Sequence, residues 1–249
     1  MIIEAVAISD KGNVRKNNED MALMGPVFLR DGSYEAHYGL EKPLAFAVAD
    51  GIGGAEGGEI ASELVIKSLF DLVQGLQDDL KAEKIPEILK DWAEAVNRLV
   101  IMRADKLGNP GMGTTLTGLL FYHDSVFLFN AGDSRLYRLR DDFLRQLTKD
   151  QTLRELSGNK DFPGNIMYNA FGKIDDFFID VKDITGQIRE NDIFLLCTDG
   201  LSDMISNDEI ESCLKDGDAP SLLIESAITA GGKDNITFII IKPERGLGI

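Results

Sequence analysis

Leu44-Ala45-Phe46-Ala47-Val48-Ala49-Asp50-Gly51 and Ile193-Phe194-Leu195-Leu196-Cys197-Thr198-Asp199-Gly200 are apolar runs that each stop on Asp-Gly. Short uninterrupted runs of this kind read as strands buried on both faces, and the glycine permits an unusual turn at the exit. Each run therefore delivers a carboxylate to the point where a buried strand emerges. Asp234 stands just before a third run, Ile236-Thr237-Phe238-Ile239-Ile240-Ile241, and Asp133 follows a fourth, Val126-Phe127-Leu128-Phe129-Asn130-Ala131-Gly132. Carboxylates at four strand ends point to one polynuclear metal site.

Outward from these runs, a strand is expected over Ala5–Ser9, with Asp10-Lys11-Gly12-Asn13 turning the chain. Ala61, Leu64, Val65, Leu69, Leu72, Val73 and Leu76 keep three-and-four spacing and predict a helix over Glu59–Leu76. A second helix starts near Pro86, a residue suited to a first turn, and runs to Leu107 with Trp92 on its core side. The period then changes to two, giving strands over 115–122, 126–131, 135–140 and 143–147 joined by turn residues, an antiparallel meander. Lys149–Gly172 has no clean period and reads as a mobile flap bordering the site, with little apolar material to bury. Strands at 177–181, 193–198 and 237–241 and helices at 207–215 and 219–230 complete the chain. Helix pairs alternating with runs of strands predict an α+β fold, two packed sheets flanked by helices, rather than a doubly wound parallel sheet.

The 249 residues fit one large domain, 1–249, with no linker to divide it. No stretch resembles a signal peptide or reaches the roughly 18 apolar residues of a membrane span, so a cytoplasmic protein is expected. Cys197 and Cys213 are too few for a disulfide framework and read as buried, reduced thiols. A net charge of −16 argues against nucleic acid and anionic membranes as partners. It serves solubility first, and a preference for basic protein substrates second. No interface signal stands out, and a monomer is expected.

Carboxylates and carbonyls are hard oxygen ligands that suit Mn²⁺ or Mg²⁺, whereas zinc usually recruits His or Cys. His37 and His123 lie outside the motifs, one in a polar stretch and one at a turn. Two cations sharing an Asp can acidify a bridging water and clamp an in-line displacement at phosphorus, which makes phosphoester hydrolysis the expected reaction. Arg15, just upstream of Glu19-Asp20, offers a planar fork of donors that matches phosphate oxygens.

Six blocks in order then resemble the metal-dependent serine/threonine protein phosphatases (PPM, type 2C), particularly compact bacterial members. They are Ser9-Asp10 through Glu19-Asp20, Phe46 to Gly54, Gly111-Met112-Gly113-Thr114-Thr115, Gly132-Asp133-Ser134-Arg135, Cys197 to Asp203, and Lys233-Asp234-Asn235-Ile236-Thr237. The resemblance implies a four-layer αββα sandwich of two mainly antiparallel sheets. It implies that Asp50 bridges two cations, that the Gly51 carbonyl ligates one, and that Asp199 and Asp234 serve the other. Arg15 would bind the phosphate, while Glu19 and Asp20 act through metal waters. Asp133 and Asp203, with Asp199, resemble ligands of a third, weaker cation. The metal-bridging water or hydroxide would attack phosphorus directly, on phosphoserine and phosphothreonine of proteins, opposing a bacterial Ser/Thr kinase.

Two positions depart from the pattern. The His that relatives carry on or near Asp-Gly is missing from Asp50-Gly51-Ile52-Gly53-Gly54-Ala55-Glu56, and Gln151 stands where bacterial relatives usually place a His. Other phosphatase chemistries fail on residues: Asp203 and Ala219 occupy the positions where Cys197 or Cys213 would need an Arg, and Asp216-Gly217-Asp218-Ala219-Pro220 lacks the last residue of an aspartyl-nucleophile motif. No nucleotide-binding P-loop is present. The alternative from another class is a catalytically silent phosphoprotein-binding module. A narrower version of the main reading limits the target to a phosphorylated anti-sigma antagonist or a secretion-system component.

Overall fold

The computed structural model describes residues 2–53, 57–159, 162, 166–173 and 175–243. In chain order, β1 (Ile2–Asp10) leads to a loop and then to β2 (Met21–Met24), β3 (Val27–Leu29), β4 (Gly32–Gly39), β5 (Leu44–Ala49) and the short β6 (Gly51–Ile52). Two helices follow, α1 (Gly57–Gly75) and α2 (Ile85–Leu107), the second with Pro86 in its first turn and Gly108 closing it in the left-handed conformation. Then come β7 (Gly113–Thr114), β8 (Leu116–Tyr122), β9 (Ser125–Ala131), β10 (Arg135–Arg140), β11 (Phe143–Gln146), the single turn α3 (Leu153–Ser157), β12 (Asp180–Asp183) and β13 (Ile193–Cys197). The chain ends with α4 (Asp199–Ser202), α5 (Asn207–Leu214), α6 (Ala219–Thr229) and β14 (Ile236–Pro243). A Ser206–Glu209 capping box starts α5 by satisfying free amides at its N-terminus.

Two six-stranded sheets carry the molecule, one ordered β11-β10-β13-β14-β1-β4 and the other β12-β9-β8-β5-β2-β3, with every pairing antiparallel. Leu44, Phe46 and Val48 point between the sheets to meet Leu196, Ile239 and Ile241, while Ala45, Ala47 and Ala49 point outward beneath α1 and α2. On the opposite side, Leu195, Cys197, Phe238 and Ile240 pack under α4, α5 and α6. Helices over both outer faces thus give an antiparallel strand no solvent side, and its sequence loses the usual polar alternation. The αββα layering matches the expectation.

Several boundaries differ from the sequence reading. The strand expected at 177–181 forms at Asp180–Asp183, and β2, β3 and β4 were not foreseen. His37 consequently sits on β4, an edge strand whose residues are largely exposed, rather than in a loop. The ends of 149–172 are less dispensable than their composition suggested: Gln151, Asn169 and Phe171 are each 1% exposed. Cys197 and Cys213 are free and buried. Among the described residues no helix is long and apolar enough to cross a membrane.

Candidate active site

One edge of the sandwich collects the ends of β1, β5, β9 and β13 and the start of β14. The pairing makes this unavoidable: Asp10 faces Ile236 across β1 and β14, Cys197 faces Phe238 across β13 and β14, and Leu116 faces Ala131 across β8 and β9. Val48 likewise faces Thr117 across β5 and β8, so Asp50, Asp133 and Asp199 lie two residues beyond paired positions and Asp234 two residues before one. The expected acids are therefore brought together. Asp199 occupies the first position of α4, and Gly200 after it packs so closely on the Asn235 carbonyl that any side chain there would overlap the backbone.

Hydrogen bonds fix the frame. The Asp50 amide donates to Thr115 Oγ1 (2.9 Å), and the Asp50 carbonyl accepts from Thr114 Oγ1 (2.8 Å) and from the Thr115 amide (2.9 Å). Thr115 Oγ1 also meets Ser134 Oγ at 2.7 Å, linking the β5 exit to the turn that carries Asp133. In that turn Gly132 adopts φ +111°, with the Thr115 side chain where a Cβ would stand.

The N-terminal loop is stapled to the same edge. Asn235 Nδ2 donates to the carbonyls of Lys11 and Asn17, both at 2.9 Å, and the Glu19 amide donates to Asn235 Oδ1 at 2.8 Å. Arg30 donates to the carbonyls of Asn18 (2.9 Å) and Asp20 (3.0 Å), and Ser62 Oγ to that of Glu19 (2.6 Å). Asp20 is buried and accepts from Thr198 Oγ1 at 2.9 Å. The Glu19 carboxylate rests against Gly58 in the first turn of α1, an end that favours negative charge. Sequence reading assigned no role to Asn235, Thr198, Thr115, Arg30 or Ser62, although the first three lie within or beside the quoted blocks.

The site is short of positive charge. Burial, then the charges of Asp199, Asp20 and Asp133, hold Asp50 well above the usual carboxylate range. Burial pushes Asp20 up to about 7 against the pull of its Thr237 and Thr198 hydrogen bonds. Burial, reinforced by Asp199 and Asp150, pushes Asp133 up to about 7. Burial also raises Asp199 to about 6 against the pull of a hydrogen bond with Asp50, with Asp234 and Asp203 adding to the rise. Asp199 Oδ1 is buried without a hydrogen-bond partner. Among the described residues no three acidic, His or Cys side chains close on one point as a finished metal cage. The oxygen-only donors, the orphaned Asp199 oxygen and the excess negative charge nevertheless fit hard divalent cations.

Asp133, Asp199 and Asp203 line a cleft of about 210 Å³ together with Asp150, Arg135 and Glu155. Arg135 grips Asp150 with a fork of hydrogen bonds (3.0, 3.1 and 2.7 Å). Arg15 is the group whose setting differs from expectation: its guanidinium is paired with Asp234 at 2.6 Å, with the side chain 52% exposed. His37 and His123 are both remote, on β4 and in the β8–β9 turn.

The profile of the protein phosphatase 2C family matches residues 33–219, a span that includes Asp50, Asp133, Asp199 and Asp203. The serine/threonine phosphatase stp of Listeria innocua is 31% identical, over 94% of this chain and 93% of that protein. The serine/threonine protein phosphatase PstP of Mycobacterium tuberculosis is 32% identical, over 96% of this chain and 45% of that protein. The crystal structure of PstP superposes with a TM-score of 0.78 at 32% identity, covering 98% of this chain and 100% of that one. Its catalytic domain in complex with two manganese ions superposes with a TM-score of 0.76 at 31% identity, covering 97% and 99%. With that likeness running through the strand ends that gather the acids, this chain belongs to the protein phosphatase 2C family.

Proposed function

We propose that the chain is a metal-dependent protein serine/threonine phosphatase whose cations, Mn²⁺ or Mg²⁺, are held by Asp50, the Gly51 carbonyl, Asp199 and Asp234, with a weaker further site at Asp133 and Asp203. The observation that carries this reading is the crowd of buried carboxylates, Asp50, Asp133 and Asp199, whose burial and mutual repulsion outweigh the relief that Arg15 gives Asp199. Divalent cations, when bound, neutralise that charge, acidify a water they share and polarise the phosphoryl oxygens. The protein's part is placement. Asp50 and Asp199 are fixed at the ends of buried strands, so their oxygens need little reorganisation.

Arg15 is exposed and, among the described residues, hydrogen-bonded to Asp234 alone, which leaves its planar fork free to turn onto a phosphate dianion. Glu19 and Asp20, locked by Asn235, Arg30 and Thr198, would hold water next to bound cations. With both histidines remote, the leaving Ser or Thr oxygen takes its proton from water held in the cleft. In this reading the enzyme acts as a cytoplasmic monomer on phosphoproteins made by a Ser/Thr kinase.

The test is phosphate release from a phosphothreonine peptide with Mn²⁺, with Mg²⁺ and with EDTA, beside Asp199→Asn. Release that requires a cation and disappears in the variant supports the reading. Binding of the peptide without release under any cation favours the silent module instead.

A further inference from the structure

Beside the acidic cleft, joined to it where Met167 bridges to Thr152, lies a trough of about 400 Å³ lined by Ile52, Met112, Ile166, Met167, Tyr168 and Phe171. It is joined to the reaction centre by the backbone itself. Ile52 pairs with Gly113 and Gly51 with Thr114 across β6 and β7, and Thr114 in turn exchanges backbone hydrogen bonds with Phe171 (3.1 and 2.9 Å). The same Thr114 donates its hydroxyl to the Asp50 carbonyl at 2.8 Å. One wall is therefore hydrogen-bonded through Thr114 to the backbone of the central carboxylate.

The floor is firm. Met112 and Phe171 are each 1% exposed, and Phe171 packs against Trp92 and Phe177 with ring centroids 6.0 and 4.8 Å away. Asn97 ties the far end by accepting from the Gly172 amide (2.7 Å) and donating to the Lys173 carbonyl (2.8 Å). The rim is open: Ile166 is 42% exposed and Ile52, Met167 and Tyr168 are half-buried. Scattered exposed apolar residues are ordinary on a protein surface. A mostly apolar depression with a firm floor, edged by Asn169 and Lys173, beside a reactive centre is a place for a ligand group.

We infer that this trough is a substrate subsite that takes one large apolar side chain of the phosphoprotein, two or three residues from the phosphorylated Ser or Thr. The inference rests on the phosphatase reading above. Ile52 lies two residues beyond Asp50. At about 3.3 Å per extended residue that is about 7 Å, the span of two residues of a substrate lying alongside. Met112 and Met167 are adaptable thioethers, so the subsite selects a class (Leu, Ile, Met, Phe) rather than one residue. The neighbouring acidic cleft repels an acidic side chain, and the trough gives an apolar one somewhere to leave water.

The experiment compares phosphothreonine peptides that differ only two and three residues from the phosphosite, Leu against Asp, in wild type, Ile166→Asp and Ile166→Met. Each enzyme's turnover of p-nitrophenyl phosphate serves as its own reference. In wild type the Leu peptide should exceed the Asp peptide about tenfold in kcat/KM, the range one apolar contact supplies. Ile166→Asp should bring the two within about twofold, and Ile166→Met should keep the preference. Equal kcat/KM for both peptides in wild type, or a preference that survives Ile166→Asp, overturns the subsite. Failure of wild type to turn over p-nitrophenyl phosphate overturns the phosphatase reading, and the subsite with it.

Discussion

The strand ends that carry Asp50, Asp199 and Asp234 and the segment 149–172 border the same edge of the sandwich, but they are held in place by different forces. Behind the acids, β5, β13 and β14 bury side chains on both faces, so their position is the sum of many interchangeable apolar contacts. The described ends of 149–172 rest on one buried ring, Phe171, and on two buried amide side chains. Gln151 accepts from the Gly132 amide (2.8 Å) and from Asn169 (2.6 Å) and donates to Asp180 (3.0 Å), while Asn169 also donates to the Phe178 carbonyl (2.8 Å). Apolar packing degrades gradually when trimmed. A buried polar staple does not, because removing one partner strands the others without water.

The largest effect should come from Asp199→Asn. Loss of the proposed ligand oxygen should lower cation-dependent phosphate release by more than the roughly 10–100-fold typical of losing a ligand's supporting partner. The same variant should melt no lower than wild type in EDTA, because it removes one charge from a mutually repelling set and its Oδ1 has no partner to lose. A marked drop in melting temperature would show that the acid itself holds the strand end, and would break the comparison.

Next in size is the pH dependence of the cation-free protein. Asp20 and Asp133 are raised to about 7 and Asp199 to about 6, above the ordinary carboxylate range of the unfolded chain, so between those limits the folded chain holds protons that the unfolded chain has released. Their contribution therefore favours folding at the acid side and is lost as pH climbs through 6 to 7. In EDTA the melting temperature should rise as pH is lowered from about 8 to about 5, and saturating Mn²⁺ should flatten that slope, since a bound cation replaces the proton. A flat profile without cations would mean that the carboxylates are solvated rather than crowded.

The same contrast explains what could be read from the chain. β5, β13 and β14 were legible because burial on two faces writes an unbroken apolar run, and α1 and α2 because one buried face writes a period. β4 was not: as an exposed edge strand it owes its place to pairing with β1, and neither of its faces carries a buried stripe. α4 spans Asp199–Ser202 only, too short to show a period. The acids of the site were legible as punctuation at strand ends. Their supports were not, since Arg30 and Ser62 act by donating to backbone carbonyls, which any residue at Asn18, Glu19 or Asp20 would present. The apolar trough escaped for a related reason: its walls come from residues near 52, 112 and 167, which only the fold brings together.

Gln151→Ala tests the staple directly. It leaves the Gly132 amide, an Asn169 N–H and Asp180 Oδ2 without their partner, which should cost about 2–3 kcal/mol. For a chain of this size that is a fall of about 5–10 °C in melting temperature. A loss below about 0.5 kcal/mol would mean that water replaces the amide at no penalty, and that the segment's ends are as dispensable as its composition suggested.

The smallest effect belongs to Leu156→Ser, within the same segment. Leu156 is apolar and lies on α3, so its residue type alone would mark it as a contributor to packing, whereas Gln151 would be counted as surface. The structure reverses both assignments: Leu156 is 64% exposed and Gln151 is 1% exposed. Leu156→Ser should therefore stay within about 0.5 kcal/mol of wild type by denaturant unfolding. The backbone bond from the Leu156 amide to the Thr152 carbonyl (2.9 Å) survives the change, and Thr152 still accepts from the Glu155 amide to start the turn. If the serine variant instead lost as much stability as Gln151→Ala, the segment would be held along its length by apolar contact, and its difference from the strand ends would disappear.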